Sequence, residues 1–161
     1  MTETRQPPHY RGLLKHVDEE AGYAVWIPVD WHRFDMVEGH QGVIYSPYPD
    51  NLNTTFLAEK RKLAYSVTQE DVPILREGFK QGLMALPGIE IERQDEIVTS
   101  TLITFEAEFT FLEEGTRRRR WVRNIYWGDG QLILIAQGAT VDEFQYWLPM
   151  FYNTMVTLEI H

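Results

Sequence analysis

The chain has 161 residues, a formal net charge of −9 and no cysteine. The length and a composition of 43% hydrophobic and 24% charged residues are typical of one globular domain. The acidic balance argues against nucleic acid or an anionic membrane as the main partner, and the lack of cysteine excludes disulfides, thiolate metal sites and a cysteine nucleophile.

The N-terminal segment is polar. Residues 1–10, with Pro7 and Pro8, predict a flexible arm that precedes a single domain over residues 11–161. The segment lacks the apolar stretch of a secretory signal, and no apolar run approaches the roughly 20 residues of a membrane span. We therefore expect a cytoplasmic protein that does not insert into a membrane.

Two short strands are predicted at the start of the domain, Leu13 to Val17 and Tyr23 to Ile27. The second strand must end or lie at a sheet edge near Pro28, because proline has no backbone N–H to donate. Trp31 then folds back over the end of this strand. We expect Trp26 and Trp31 to pack in the core.

The middle of the chain predicts further short elements and one helix. Apolar residues at helical spacing predict a helix from Asp71 to Leu86, capped by Asp71 and ended by Pro87 and Gly88. Before it, the residues from Trp31 to Gln41 show no periodicity and predict a loop. Extended segments are predicted at Gly42 to Tyr45 and at Thr54 to Leu63.

Four strands are predicted after this helix. Between Leu102 and Glu113, apolar residues alternate with polar ones that include Glu106 and Glu108, which is typical of a strand with one wet face. Glycine-containing turns join the later strands into a hairpin meander. The four strands are Ile89 to Val98, Leu102 to Glu113, Arg117 to Trp127, and Gln131 to Gln137.

The segment from Thr140 to Glu143 is a capping box and predicts the start of the last helix. Pro149 predicts a kink in this helix, because it removes one intrahelical hydrogen bond. Trp147 and Tyr152 lie off the main apolar stripe of the helix. We expect these two side chains to be exposed aromatic anchors.

The order of these parts resembles the PsbP-like superfamily, which includes PsbP, Mog-type Ran-binding factors and DcrB-like bacterial proteins. The resemblance covers Tyr23 to Ile160 and is strongest over Tyr23 to Trp31 and Gly130 to Phe151. It implies an α+β fold, a twisted antiparallel sheet of about six or more strands with helices on both faces, in an α/β/α sandwich. It also implies a protein that acts mainly by binding or as a scaffold. No Ran-binding residue transfers, because no motif matches position by position.

The run from Arg117 to Arg120 is unusual in an acidic chain. One interpretation is a patch for an anionic or acidic partner, with Trp121 adding a stacking surface. The pattern favours a second interpretation, in which the arginines pair with glutamates across the hairpin: Glu106, Glu108, Glu113 and Glu114. The candidate binding residues are Arg117, Arg119, Trp121, Arg123, Trp147 and Tyr152.

No segment predicts a catalytic residue, a cofactor or a metal site. His32 and His40 lie near acidic residues, but their spacing matches no ligand pattern and favours a solvated loop. None of the three serines lies in the Gly-x-Ser-x-Gly sequence of a hydrolase nucleophile. Glu106 and Glu108 share one strand face, where solvated and salt-bridged carboxylates are the stronger interpretation.

These features predict a non-enzymatic domain that binds a protein partner or acts as a scaffold, through the arginine-rich hairpin and the exposed aromatics. The same aromatics would also serve a homodimer. Two alternatives stay open. One is a small-molecule binder or enzyme with an aromatic pocket under the 31–46 loop. The other is a chaperone-like domain that shields an apolar client segment.

Overall fold

The computed structural model describes residues 5–161, and over this range the chain forms ten β-strands and two α-helices. A 3-10 turn at Gln69–Asp71 precedes the first helix. The elements are β1 (Leu13–Asp18), β2 (Tyr23–Pro28), β3 (His32–Asp35), β4 (Gln41–Ser46), β5 (Thr55–Lys62), α1 (Val72–Met84), β6 (Glu90–Val98), β7 (Ile103–Glu113), β8 (Thr116–Trp127), β9 (Gly130–Gly138), α2 (Val141–Val156) and β10 (Glu159–Ile160).

The strands form two antiparallel sheets. The larger has seven strands in the order β3-β4-β5-β9-β8-β7-β6, and the smaller has the order β1-β2-β10. Apolar residues of β7 pack with α1 on one face of the large sheet. The small sheet and α2 pack on the other face, against β4, β5, β8 and β9. The predicted α+β fold, with a large antiparallel sheet between helices, is confirmed.

Trp26 and Trp31 were both predicted to pack in the core, and only one of them does. Trp31 is 7% exposed and packs edge-on against Phe151, as predicted. The prediction for Trp26 is wrong, because strand alternation sends its neighbours Val25 and Ile27 inward and leaves Trp26 half-buried on the outer face. There it lies opposite Lys15 of β1.

Some short elements differ from their predictions. The predicted loop from Trp31 to Gln41 contains β3, an edge strand whose largely exposed side chains carry no apolar alternation. The two-residue strand β10 pairs with β2 and is too short for a pattern. Asp71 accepts a hydrogen bond from the Thr68 amide at 2.8 Å, and its side chain does not cap α1. No helix within residues 5–161 is long and apolar enough to cross a membrane.

The start of α2 is capped as predicted. The Thr140 hydroxyl accepts a hydrogen bond from the Glu143 amide at 3.1 Å. The Glu143 carboxylate, expected to complete the capping box, instead accepts hydrogen bonds from Tyr48 at 2.7 Å and Trp147 at 3.1 Å.

The described part of the predicted arm lies against α2. The Arg5 guanidinium pairs with Glu143 and lies 3.6 Å from the ring centre of Tyr146. The Tyr10 hydroxyl donates to the Pro149 carbonyl oxygen at 3.1 Å. Residues 1–4 lie outside the described residues, and the arm's flexibility stays a prediction.

Candidate functional site

A cleft of about 870 Å³ opens between α2 and the strands at one end of the large sheet. It forms because α2 contacts β8 and β9, while β7 and β6 continue the sheet beyond the helix. Its floor is the α2-facing side of β6, β7 and β8, and its wall is one side of α2. We name it the α2 cleft. Its lining residues are Arg93, Glu106, Glu108, Trp121, Arg123, Gln145, Leu148, Pro149, Tyr152, Met155, Val156 and Leu158.

Strand register brings the polar floor residues together. Glu106 lies opposite Arg123 on β8, and Glu108 lies opposite Trp121. On the other side of β7, Arg93 lies opposite Glu108, just after a bulge in β6. Because directly opposed residues in a sheet point to the same face, all five side chains share the α2-facing side.

An ion-pair network holds the floor. The Arg93 guanidinium donates to Glu108 at 2.8 Å and to Glu106 at 3.2 Å, and also pairs with Asp95. Arg123 lies 4.0 Å from Glu106 and donates to the Met155 carbonyl oxygen at 2.8 Å. The predicted salt bridging of Glu106 and Glu108 is therefore confirmed, but their side chains are largely buried rather than solvated.

The two floor arginines differ in how well their charge is compensated. Burial acts to lower the pKa of Arg93, but hydrogen bonds to Glu108, Asp95 and Glu106 outweigh it and raise that pKa. Burial lowers the pKa of Arg123, and the nearby Glu106 offsets this only in part. The Arg123 Nε atom is buried and has no hydrogen-bond partner within residues 5–161. Arg123 is thus the floor arginine whose charge is less fully compensated.

The wall of the cleft is apolar. Leu148, Tyr152 and Val156 follow one another at four-residue spacing along α2, so they form one stripe. Tyr152 is 58% exposed and Val156 is 56% exposed. The Tyr152 ring lies 6.3 Å from that of Trp121, which joins the wall to the floor. Pro149 has no N–H, so the Gln145 carbonyl lacks its usual intrahelical donor at this wall.

The structure brings three of the six predicted binding residues to this cleft: Trp121, Arg123 and Tyr152. Arg117 and Arg119 lie on the same face of β8 but outside the cleft lining. Arg117 lies 3.8 Å from Glu90, and Arg119 lies 2.7 Å from Glu92. These partners are on β6, one strand further away than the glutamates expected from the hairpin.

The other two arginines of the run face α1, as strand alternation predicts. Arg118 pairs with Glu113 at 3.1 Å and donates to the Ala139 carbonyl oxygen at 2.9 Å. Arg120 donates to the Gln137 side chain at 2.9 Å. The run is therefore divided between the two faces of the sheet.

Trp147 is not an exposed anchor, and this prediction is wrong. It is half-buried, packs edge-on against Trp31 at 5.8 Å and donates to Glu143 at 3.1 Å. It lies five positions before Tyr152, which places the two about 140° apart around the helix. Trp147 consequently faces away from the α2 cleft, whereas the predicted exposure of Tyr152 is confirmed.

The 31–46 region borders smaller cavities. One of about 360 Å³ lies beside Trp31 and Trp147, and one of about 430 Å³ lies beside His16 and Tyr45. His40 lies in an exposed loop, as expected, and its Nδ1 atom is 2.8 Å from a carboxylate oxygen of Glu59. No cluster of three or more metal-binding side chains occurs in the part of the chain that the structure describes.

Sequence reasoning missed Arg93, Gln145 and Val156 as lining residues. Arg93 is a lone basic residue in the acidic segment from Glu90 to Glu96, which was a usable signal for an ion pair. Its partner could not be read from the sequence, because the bulge in β6 shifts the register by one residue.

No protein-family model matches the sequence, and no curated protein matches it. Solved structures do share its fold. Cyanobacterial PsbP (CyanoP) from Synechocystis aligns with a TM-score of 0.65 and 11% identity, over 99% of this chain and 98% of that one. LpqN from Mycobacterium tuberculosis, described as involved in cell envelope biogenesis, aligns with a TM-score of 0.63 and 18% identity, over 92% and 89%. A protein of unknown function from Pseudomonas aeruginosa aligns with a TM-score of 0.55 and 15% identity, over 92% and 97%.

At these identities the likeness concerns the fold alone. The chain has the PsbP-like fold, as the sequence resemblance predicted. One similar structure is that of a protein described as involved in cell envelope biogenesis, and the cytoplasmic location of this chain stays a prediction.

Proposed function

We propose that this chain, a domain with the PsbP-like fold, is a non-enzymatic binding domain that holds part of a protein partner in the α2 cleft. The observation that carries the proposal is an exposed apolar stripe on α2 facing an ordered, charged floor. Tyr152 and Val156 are each more than half exposed although they lie on a well-packed helix. Adjacent large apolar side chains left in water are typical of an interaction site.

The composition of the cleft supports protein recognition. Tyrosine, tryptophan and arginine are the residues that most often dominate binding energy at protein interfaces. Here Tyr152, Trp121 and Arg123 lie side by side. Arg117 and Arg119 extend the same face of β8 and would form a polar rim, while Trp147 falls outside the proposed surface.

The floor carboxylates suit a structural role better than a catalytic one. Glu106 accepts hydrogen bonds from Arg93 and Trp121, and Glu108 accepts one from Arg93. Such bonds hold the carboxylates in fixed positions as part of a rigid surface. A rigid, preorganised surface lowers the entropy cost of binding.

The volume of the cleft favours one second candidate. About 870 Å³ lies within the range of small-molecule sites, roughly 300–1,000 Å³, so a small amphipathic ligand is the alternative occupant. A small ligand would raise the thermal stability of the isolated domain by mass action. A domain whose ligand is a protein segment would show no such rise in a small-molecule screen.

The proposal is tested by affinity capture from cells that naturally express the chain. The baits are the wild type, Tyr152→Ala, and Tyr65→Ala as the matched control, since Tyr65 is also exposed (49%) and does not line the cleft. We expect one protein to be retained by the wild type and by Tyr65→Ala and lost from Tyr152→Ala. A partner retained equally by all three baits would contradict the proposal.

A further inference from the structure

We infer that α2 carries a second binding site, which takes the guanidinium group of an arginine side chain. Arg5 of this chain occupies the site in the structure, and an arginine on a segment of a partner protein would take its place. The site lies on the side of the helix that faces away from the α2 cleft. We name it the arginine cage, and its residues are Tyr48, Glu143, Tyr146 and Trp147.

Four contacts converge on the Arg5 guanidinium. One terminal nitrogen pairs with the Glu143 carboxylate, and the other donates to the Tyr48 hydroxyl at 2.9 Å. The central carbon lies 3.6 Å over the ring centre of Tyr146 and 5.7 Å from that of Trp147. A guanidinium is planar, so it can stack on a ring while its edge donates in two directions. A lysine ammonium is a compact point charge and fits this combination less well, so the arrangement selects arginine.

The domain itself positions the carboxylate of the cage. Glu143 Oε2 accepts hydrogen bonds from the Tyr48 hydroxyl at 2.7 Å and from the Trp147 indole at 3.1 Å. Its other oxygen, Oε1, is the atom that pairs with Arg5. A glutamate at this position of a capping box usually reaches back to the start of its own helix. Glu143 faces the aromatic rings instead, so its charge serves a cation that lies there.

The rings of the cage are held by edge-on packing, a geometry that aromatic pairs favour. The Trp147 ring lies edge-on to Tyr146 at 4.8 Å and to Tyr48 at 6.0 Å. It also lies edge-on to Trp31 at 5.8 Å, and Trp31 is buried in the core. The shape of the cage is therefore set by contacts within the domain and does not depend on Arg5. A preorganised surface of this kind lowers the entropy cost of binding.

The contact with Arg5 is open to exchange. The Arg5 side chain is 46% exposed, so a competing cation can approach the cage. A cavity of about 360 Å³ lies between residues 6–11 and the aromatic rings beneath them, so this part of the segment does not pack tightly. The net charge of −9 also favours the approach of a cationic segment. Exposed ion pairs contribute little to stability, so loss of the Arg5 contact should leave the domain folded.

The test uses the full chain with Arg5→Ala, which empties the cage, and N-acetyl-arginine amide as the probe. The indole signals in two-dimensional NMR spectra report binding, and the signal that Trp147→Phe removes is that of Trp147. We expect the probe to shift this signal saturably. The apparent Kd should be about threefold or more higher in the wild type, because the tethered Arg5 competes at an effective concentration in the millimolar range. N-acetyl-lysine amide, which carries the same charge, should bind Arg5→Ala about threefold or more weakly.

Further changes in the Arg5→Ala chain test the cage residues. Glu143→Gln should abolish saturable binding, because it removes the charge and keeps an oxygen that can accept from Tyr48 and Trp147. Tyr146→Leu removes the stacking ring and should also weaken binding. Glu38→Gln is the control, since Glu38 is exposed and lies outside the cage, and it should leave the affinity unchanged.

Three results would overturn the inference. They are a Trp147 signal that does not respond to the arginine probe in Arg5→Ala, equal affinities for the arginine and lysine probes, and binding that either cage variant leaves unchanged. The inference goes beyond the proposed function and fails separately from it. Trp147 lies about 140° around α2 from Tyr152, so Tyr152→Ala should not alter binding of the probe.

Discussion

Tyr152 and Phe151 are neighbours in the chain and lie about 100° apart around α2. Phe151 is fully buried against Trp31 and Phe144, whereas Tyr152 is 58% exposed beside the cleft. Burial of an apolar side chain stabilises a fold in proportion to the area removed from water. We therefore expect Phe151 to contribute mainly to the stability of the fold and Tyr152 to contribute mainly to binding.

We predict that Phe151→Ala lowers the free energy of unfolding by about 3–5 kcal/mol, because it leaves a cavity in the core. Tyr152→Ala should change it by less than about 1 kcal/mol, because the side chain is mostly in water. Urea denaturation followed by circular dichroism measures both values. A large loss of stability in Tyr152→Ala would mean that Tyr152 is a structural residue.

Glu106 is the centre of the floor network, since it accepts hydrogen bonds from Arg93 and Trp121 and lies near Arg123. We predict that Glu106→Ala destabilises the fold by about 2–4 kcal/mol, because it leaves the Trp121 N–H without its acceptor and removes the carboxylate that faces the half-buried Arg123. The exposed Glu38 is the control, and Glu38→Ala should cost less than about 0.5 kcal/mol. Equal, small effects in both variants would show that the network contributes little to stability.

At the scale of elements, the cleft depends on where α2 is seated. The helix begins against the end of β9, where Gly138 meets Phe144. A β-carbon at position 138 would lie 2.6 Å from the Phe144 Cα atom, which is closer than such atoms approach in real proteins. The absence of a side chain at Gly138 is thus what allows the helix to pack on the sheet.

We predict that Gly138→Ala displaces the start of α2 and destabilises the fold by about 1–3 kcal/mol or more. Gly78 in α1 is the matched control, since its surroundings are open. Gly78→Ala should stabilise the fold by about 0.4–1 kcal/mol, because alanine favours the helix and restricts the unfolded chain. Thermal unfolding of both variants gives the comparison, and two shifts of the same sign would contradict this packing account.

The two sheets meet at a buried histidine. His16 of β1 is 9% exposed, and its Nδ1 atom lies 3.1 Å from the Tyr45 hydroxyl of β4. Burial is the main cause that lowers the pKa of His16 below its ordinary value of 6.5; Arg33 adds to the decrease and Asp18 opposes it. Burial therefore favours the neutral imidazole where the small sheet packs on the large one.

This predicts a pH dependence of stability. Below pH 6.5 the unfolded chain binds a proton on His16 that the folded chain resists, so stability is complete above pH 6.5 and decreases as the pH falls below it. His16→Gln should flatten the stability profile between about pH 6.5 and 5. Denaturation midpoints measured across this range test the prediction. An equally steep profile in the variant would assign the effect to another group.

At the scale of the whole molecule, the sequence was sufficient to predict the fold but not to predict the cleft. Alternation in β7 and helical spacing in α1 and α2 are local patterns, and they predicted the sheet and its covering helices. The cleft depends on the register of β6 after its bulge and on which strands α2 covers. Neither is local, so Arg93 and Val156 were not predicted to meet Tyr152.

The same reasoning explains the error at Trp147. Its position off the main apolar stripe correctly indicated that it avoids the deepest core. The stripe could not show that Trp31, Tyr48 and the Arg5 segment cover that side of the helix. Residues brought together from distant parts of the chain decide exposure, and periodicity within one helix does not report them.

The most direct test of the central claim is site-specific photo-cross-linking in cells, with p-benzoylphenylalanine at position 152 and, as the control, at position 65. The account predicts a covalent adduct to a protein partner from position 152 and none from position 65. Mass spectrometry should place that cross-link within a short apolar segment of the partner. Adducts from position 65 with none from position 152 would contradict the claim that the α2 cleft is the binding site.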